Sequence, residues 1–271
     1  MDSRGSFAVT ADLLKTLCSA TVYDLAQPYY PGMPHHPNHP PYLFGLTKKH
    51  GDFVAPGGTS SAADAITMSG HTGTHMDALC HFSCGGRLRG GVDAEAAQSY
   101  DRGVREHSVD TIAPVLRRGV LLDVAGHEGV DALPADFEIT PEHLRAVECA
   151  ERVDIQAGDV VLLRTGWGRF WNDAPRFVSQ VRGPGPAESG ARWLSRAGIF
   201  AAGSDTLAFE LVPAPSMPVH VHLLVESGIH IIECLNLEEL AARRAYEFVF
   251  VASPLKFRGG TGSPIRPLAI A

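Results

Sequence analysis

The run His71-Thr-Gly-Thr-His75-Met-Asp77-Ala-Leu-Cys-His81 sets the tightest limit on how this chain can fold. It holds three imidazoles and a carboxylate, yet no regular secondary structure brings all four to one point. On a helix His71 and His75 share a face, but Asp77 points elsewhere and Thr-Gly-Thr is poor helical filler. On a strand the four odd-numbered positions share a face, but the steps from His71 to His75 span roughly 13 Å at about 3.3 Å per residue. Convergence therefore demands a bend, and Gly73 is the residue free to take the positive φ that allows one. The spacing predicts a strand end or tight turn. It does not fit the helix of the His-Glu-x-x-His proteases, whose glutamate is also missing.

Four such side chains gathered in one bend make a ligand set for a divalent cation. Neutral imidazole and carboxylate suit zinc, manganese or iron, and three protein ligands hold an ion while leaving positions open for water and substrate. A single histidine would read as an ordinary hydrogen-bonded loop residue; the cluster does not. Cys80 and Cys84 flank His81 at a spacing that matches no zinc-finger or redox pattern, so a small packed thiol is the expectation there.

The whole chain narrows the classes. Its 271 residues allow a substantial core. A formal charge of −7 with no long basic run argues against nucleic acid and anionic membrane surfaces as partners. Nowhere do about eighteen apolar residues run together, and Met1-Asp-Ser-Arg-Gly-Ser6 lacks the apolar stretch of a secretory signal. Five cysteines, an odd number, fit a reducing compartment better than a disulfide framework. A cytoplasmic protein is expected.

Residues 26–60 are rich in Pro, Gly and His and read as a long irregular excursion of the kind used for lids and binding loops. The prolines there are expected to splay His35, His36 and His39 into solvent. Beyond the motif, strands and helices alternate. Gly119 to Gly126 and Val160 to Gly166 are short apolar runs between turn signals, consistent with buried strands. Thr140, Pro141 and Glu142 open a helix expected to reach about Val153. Ala187 to Ala197 forms another, closed by Gly198, before a strand from Ile199 to Gly203. A last strand covers Tyr246 to Ala252. With no repeat and no clear linker, residues 1–271 read as one mixed α/β domain.

Taken together these residues resemble the metal-dependent hydrolases of the cyclase family, which include bacterial kynurenine formamidase and isatin hydrolase. The family signature His-x-Gly-Thr-His-x-Asp-x-Pro-x-His is supplied from His71 to His81, with Leu79 in place of proline. Asp-Ala-Leu at this place resembles an isatin hydrolase-like branch more closely. Asp24-Leu-Ala with Pro31-Gly-Met-Pro34, Arg164-Thr-Gly-Trp167, Gly203-Ser-Asp205-Thr206, His220-Val-His-Leu-Leu with Gly228-Ile-His-Ile-Ile-Glu233, and Lys256 to Pro264 are similar to further family stretches.

The resemblance implies a swivelling β/β/α fold with a mixed central sheet. It implies His71, His75 and Asp77 as ligands of a manganese or zinc ion, His81 as acid/base, and His220 with Glu233 completing a second ion site or remaining polar partners. By residue type His222 can serve as well as His220, because on a strand the two share a face. Glu233 sits in the apolar setting Ile231-Ile-Glu-Cys-Leu, where a carboxylate needs a partner.

The implied reaction is hydrolysis of the C–N bond of an aryl formamide or cyclic amide; the alternative is a cyclase or lyase acting on a biosynthetic intermediate. A small aromatic amide is the expected partner, with a homodimer or homotetramer as the assembly. Phe44, Phe53, Phe82, Trp167 and Trp171 are candidate walls for a flat ring, with Trp167, Trp171 and Phe82 the expected substrate contacts. Arg164 or Arg169 is a candidate clamp for a substrate carboxylate.

Overall fold

The computed structural model describes residues 10–271, so the expectation for Met1 to Ser6 lies outside the described residues. Nine strands form one mixed sheet: β1 (Val22–Asp24), β2 (His75–Asp77), β3 (Val115–Asp123), β4 (Val160–Arg164), β5 (Ala201–Ser204), β6 (His230–Glu233), β7 (Glu247–Ala252), β8 (Gly262–Pro264) and β9 (Leu268–Ile270), in the order β1-β9-β7-β3-β4-β5-β6-β2-β8. The central four, β3, β4, β5 and β6, run parallel. Antiparallel strands extend the sheet on both sides.

The parallel strands are the short apolar runs of the sequence, and both their faces are covered, as a buried parallel sheet requires. On one face Leu122, Val161, Leu163 and Ile231 pack with Leu144 and Val147 of the helix Pro141–Glu151 and with Ala191 and Leu194 of the helix Glu188–Arg196. On the other, Leu121, Leu162 and Ile232 pack with Met76, Leu235, Leu240 and Phe250. Thr140 caps the first helix by accepting the His143 N–H, and the chain leaves it through Arg152 in the left-handed region, close to the expected end.

The excursion at 26–60 is more ordered than its composition predicts. Leu43–Lys48 is a strand paired antiparallel with Ala63–Thr67, a hairpin whose side chains are almost all exposed. Composition missed it because Leu43-Phe44-Gly45-Leu46 is only a short apolar island among prolines. Among the described residues no helix is long and apolar enough to cross a membrane.

Candidate metal centre

Strand β2 lies between β6 and β8, and its two registers build the site. His75 and Asp77, two residues apart, face the same side, while Met76 turns into the core at 0% exposure. Glu233 of β6 is the direct cross-strand partner of His75, so a third ligand type joins the same face. Gly262 lies opposite Asp77, and a Cβ there would come within 2.5 Å of the His71 ring; glycine leaves the space that imidazole occupies.

The bend falls at Gly73, with φ of +61°. The Tyr29 ring packs so closely on it that a Cβ would sit 1.9 Å from Cε1. The Tyr29 hydroxyl lies 2.9 Å from both the Thr72 and the Thr74 carbonyl, and His75 Nδ1 donates to the Gly73 carbonyl at 2.7 Å. That last bond fixes the tautomer: neutral His75 presents a bare Nε2 lone pair to the site. Thr74 ties the bend to the sheet, its hydroxyl donating to the Cys234 carbonyl and accepting the Gln27 N–H.

His75 Nε2 stands 3.5 Å from Asp77 Oδ1 and 3.4 Å from Glu233 Oε2. Two ligands about 2.1 Å from one ion at the tetrahedral angle lie about 3.4 Å apart, so these three atoms have the spacing of ligands around a common cation. A second group, His71, Asp77 and His81, shares Asp77 with the first. Asp77 Oδ2 is buried without a hydrogen-bond partner, a costly state for a carboxylate oxygen unless a cation satisfies it. The residues present therefore fit a divalent ion, with Asp77 able to serve both groups.

Electrostatics agree. Burial opposes the charge on Asp77, but the imidazoles of His81, His71 and His75 outweigh it and hold its pKa well below the carboxylate range. Burial also opposes charge on His75 and His220, yet Asp77 and Glu233 raise the first, and Glu210 and Glu233 raise the second to about 10. Protons on these imidazoles offset the carboxylates in the absence of a cation, so binding one releases protons.

His220 ends the short helix Pro218–His220, which continues as a π-helical turn over Val221–Ser227. Its Nε2 lies 3.2 Å from Glu233 Oε1 and 3.9 Å from Asp77 Oδ2. Behind it, Glu210 accepts from His220 Nδ1 at 2.6 Å and from the His220 backbone N–H at 3.0 Å. Glu210 was not singled out from sequence; a lone glutamate in Ala208-Phe-Glu-Leu, ten residues before its partner, carries no local signal beyond its apolar neighbours. It orients the ring and raises its basicity, as outer carboxylates do for ligating histidines. Glu210→Gln is expected to weaken zinc or manganese binding by about 10- to 100-fold with the fold intact, measured by metal titration beside a melting curve.

Because residues 220–222 are helical, His222 does not share a face with His220. Its Nδ1 pairs with Glu226 at 2.7 Å and its Nε2 meets the Ser195 hydroxyl at 2.8 Å, away from the cation groups. His81 stacks on His71 with ring centroids 3.9 Å apart and meets the edge of Phe82. Burial lowers its pKa to about 3, which leaves the ring neutral at physiological pH.

These groups open into a cavity of about 310 Å³. One lip carries His35, His36 and His39, and the other wall Phe82, Val181, Leu207, Val212 and Met217. The expectation that the proline-rich histidines face solvent is corrected: His39 stacks on His71 at 5.1 Å and His36 packs on His39 at 5.5 Å. Phe82 lines the cavity, but Trp167 and Trp171 do not. Both indoles are buried and donate inward, to the Leu133 and Pro28 carbonyls. Phe44 and Phe53 lie exposed, outside the cavity lining.

Neither candidate arginine reaches the cavity. Arg164 is held by Asp123 and Glu238, and Arg169 by Asp131 and Glu238. Cys80 is buried and its thiol pushed up to about 11 by burial; Cys84 is exposed.

Known proteins of similar sequence and shape share this frame. Isatin hydrolase of Roseibium aggregatum is 29% identical over 216 residues, which cover 76% of this chain and 73% of that protein. Kynurenine formamidase of Bacillus thuringiensis (strain Al Hakam) is 28% identical over 201 residues, 74% of this chain and 76% of its own. A crystal structure described as a novel cyclase superposes with a TM-score of 0.88 at 28% identity, covering 95% of this chain and 89% of that one. Residues 23–211 match the family described as "Putative cyclase", a span that takes in the hairpin, the bend from His71 to His81 and Glu210, and the chain belongs to that cyclase family.

Proposed function

We propose that this protein is a metal-dependent hydrolase that cleaves the C–N bond of a small, uncharged aromatic amide, of the cyclic or aryl formamide type on which the named relatives act. The observation that carries this reading is the convergence of His75, Asp77 and Glu233, with an orphaned Asp77 oxygen, beside a neutral, half-buried His81. When bound, a zinc or manganese ion supplies Lewis acidity and lowers the pKa of water toward about 7.

The chain's own groups do the rest. His71, His75, Asp77, His220 and Glu233 would hold one ion or an adjacent pair. His81, neutral and facing the cavity, takes a proton from the attacking water and returns it to the departing nitrogen, which matters for an amide because nitrogen leaves poorly unprotonated. Phe82 and the aliphatic wall enclose a flat ring. Among the described residues no lysine or arginine lines the cavity, which favours an uncharged cyclic amide such as isatin over a substrate that carries its own carboxylate.

The test is a panel of isatin, aryl formamides, lactones and imides, assayed with and without chelator, alongside elemental analysis per chain. Metal-dependent acid release from an uncharged amide supports the reading. Silence on every member sinks it and favours a cyclase or lyase role.

A homodimer or homotetramer is part of this proposal. An isolated two-stranded hairpin is marginal in water, yet Leu43, Phe44, Leu46 and Ile66 of this one are each about half exposed. A second copy would cover them. Phe44→Ser combined with Ile66→Ser is expected to shift the protein to monomer in light scattering; an unchanged mass counts against the hairpin as the contact. Residues 1–271 acting as one domain is supported by strands of a single sheet running from Val22 to Ile270. A cytoplasmic location is supported by five free thiols, three of them exposed.

A further inference from the structure

Among the described residues, eight other than glycine have a positive φ, and they are not spread evenly. Val181, Met217 and Cys234 line the cavity, and Ser179 and Gln180 lead directly into Val181. Ser179, Gln180 and Val181 have φ of 44°, 59° and 60° in succession. Left-handed backbone is disfavoured for residues with a Cβ, and for a β-branched valine it is a true outlier. Consecutive residues in this state persist only where their surroundings over-determine them, and such strain gathers at ligand clamps.

The turn follows the helix Ala174–Val178, with the Ser179 N–H donating to the Pro175 carbonyl and the Val181 N–H to the Val178 carbonyl. Beyond it, Gly183 and Val212 exchange backbone hydrogen bonds, which fixes the segment to the wall it belongs to. Gln180 is exposed and Val181 half-buried, so the left-handed path carries one branched side chain to the cavity while its neighbour stays in solvent. An extended path would turn that side chain elsewhere.

Resting on the hydrolase reading for the reaction itself, we propose that Val181 is the residue that sets which ring substituents the cavity accepts, and that the left-handed turn Ser179–Gln180–Val181 exists to hold it there. Val181 would face the ring of the substrate from the aliphatic wall it shares with Leu207, Val212 and Met217. Bulk at this position changes the fit of a substituted ring more than that of a bare one.

Val181→Ala, Val181→Phe and Gln180→Pro test this in the metal-loaded protein. Two paired measurements are made: kcat/KM on isatin and on a tert-butyl-substituted isatin, and Kd for 2-indolinone, an uncharged cyclic amide, and its tert-butyl derivative. Alanine is expected to raise the bulky-to-small ratio about tenfold and phenylalanine to lower it about tenfold, the scale on which pocket methyl groups discriminate. Proline fixes φ near −65° and so cannot hold the turn; it removes no backbone bond named above and is expected to erase most of the discrimination without loss of metal.

A ratio that moves less than twofold in both Val181 variants, with metal content unchanged, overturns the assignment to Val181. An unchanged ratio in a folded Gln180→Pro protein overturns the role of the turn. Should the wild type hydrolyse no amide, the hydrolase reading fails by itself and the binding ratios still decide Val181; a wild type that binds neither cyclic amide overturns both.

Discussion

Asp77→Ala is expected to leave a protein that folds but neither retains zinc or manganese through gel filtration nor turns over any amide, with kcat/KM reduced on the order of a thousandfold or more. The reason lies in its two oxygens. Oδ1 meets His71 Nδ1 at 2.8 Å and His75 Nε2 at 3.5 Å, while Oδ2 is buried with no partner of its own. Alanine removes the only side chain common to both ligand groups. What remains is Glu233 with imidazoles that carry no charge once a cation displaces their protons. Elemental analysis and steady-state kinetics read the outcome together. A variant with wild-type metal content would show that the ion is held elsewhere.

His81→Ala separates chemistry from binding. Metal content is expected to stay at the wild-type level while kcat falls by about 10²- to 10⁴-fold, the range of a positioned general acid–base. The loss should be smaller for an activated ester, whose leaving group needs no proton. Its pH dependence has a definite sign. Burial lowers the pKa of His81 from 6.5 to about 3, so the ring stays neutral, and able to accept a proton, far below pH 6. A bound cation depresses it further. Protonation of His81 therefore cannot supply a rate loss between pH 7 and 6, and an acid limb there belongs to another group. The same depressed value links to stability: the unfolded chain takes up the proton first, so His81 favours unfolding progressively as pH falls from about 6.5 toward 3. A variant that loses its ion and recovers activity on reconstitution would make His81 a ligand instead of the base.

The bend was legible because it rests on local rules. Alternation on a strand places His75 and Asp77 together, the distance argument forbids a straight path to His71, and Gly73 alone can take φ of +61° there. The buried parallel strands and the helix beginning at Pro141 were legible for the same reason, since hydrophobic runs and caps act over a few residues. Where the reading failed, long-range contacts outvoted local pattern. Val219-His-Val-His alternates like a strand, but Glu210 accepts the N–H groups of Val219 and His220 and so caps a helix, which turns His222 away. Trp167 and Trp171 sit in a stretch with the composition of a pocket rim, yet the carbonyls of Leu133 and Pro28 draw their indole N–H groups inward. The prolines around His39 do not keep the chain extended: the His39 N–H donates to the His36 carbonyl, and this turn lays the histidines along the cavity mouth instead of in solvent.

The bend and the imidazole and carboxylate groups it gathers were readable within eleven residues, because backbone sterics and donor chemistry act locally. Only the tertiary structure decided that Glu233 faces His75, that Glu210 stands behind His220, that three histidines close the lip and that Val181 enters the wall. Strand register and desolvation arise from segments far apart in the chain, and no local pattern encodes which of them will meet.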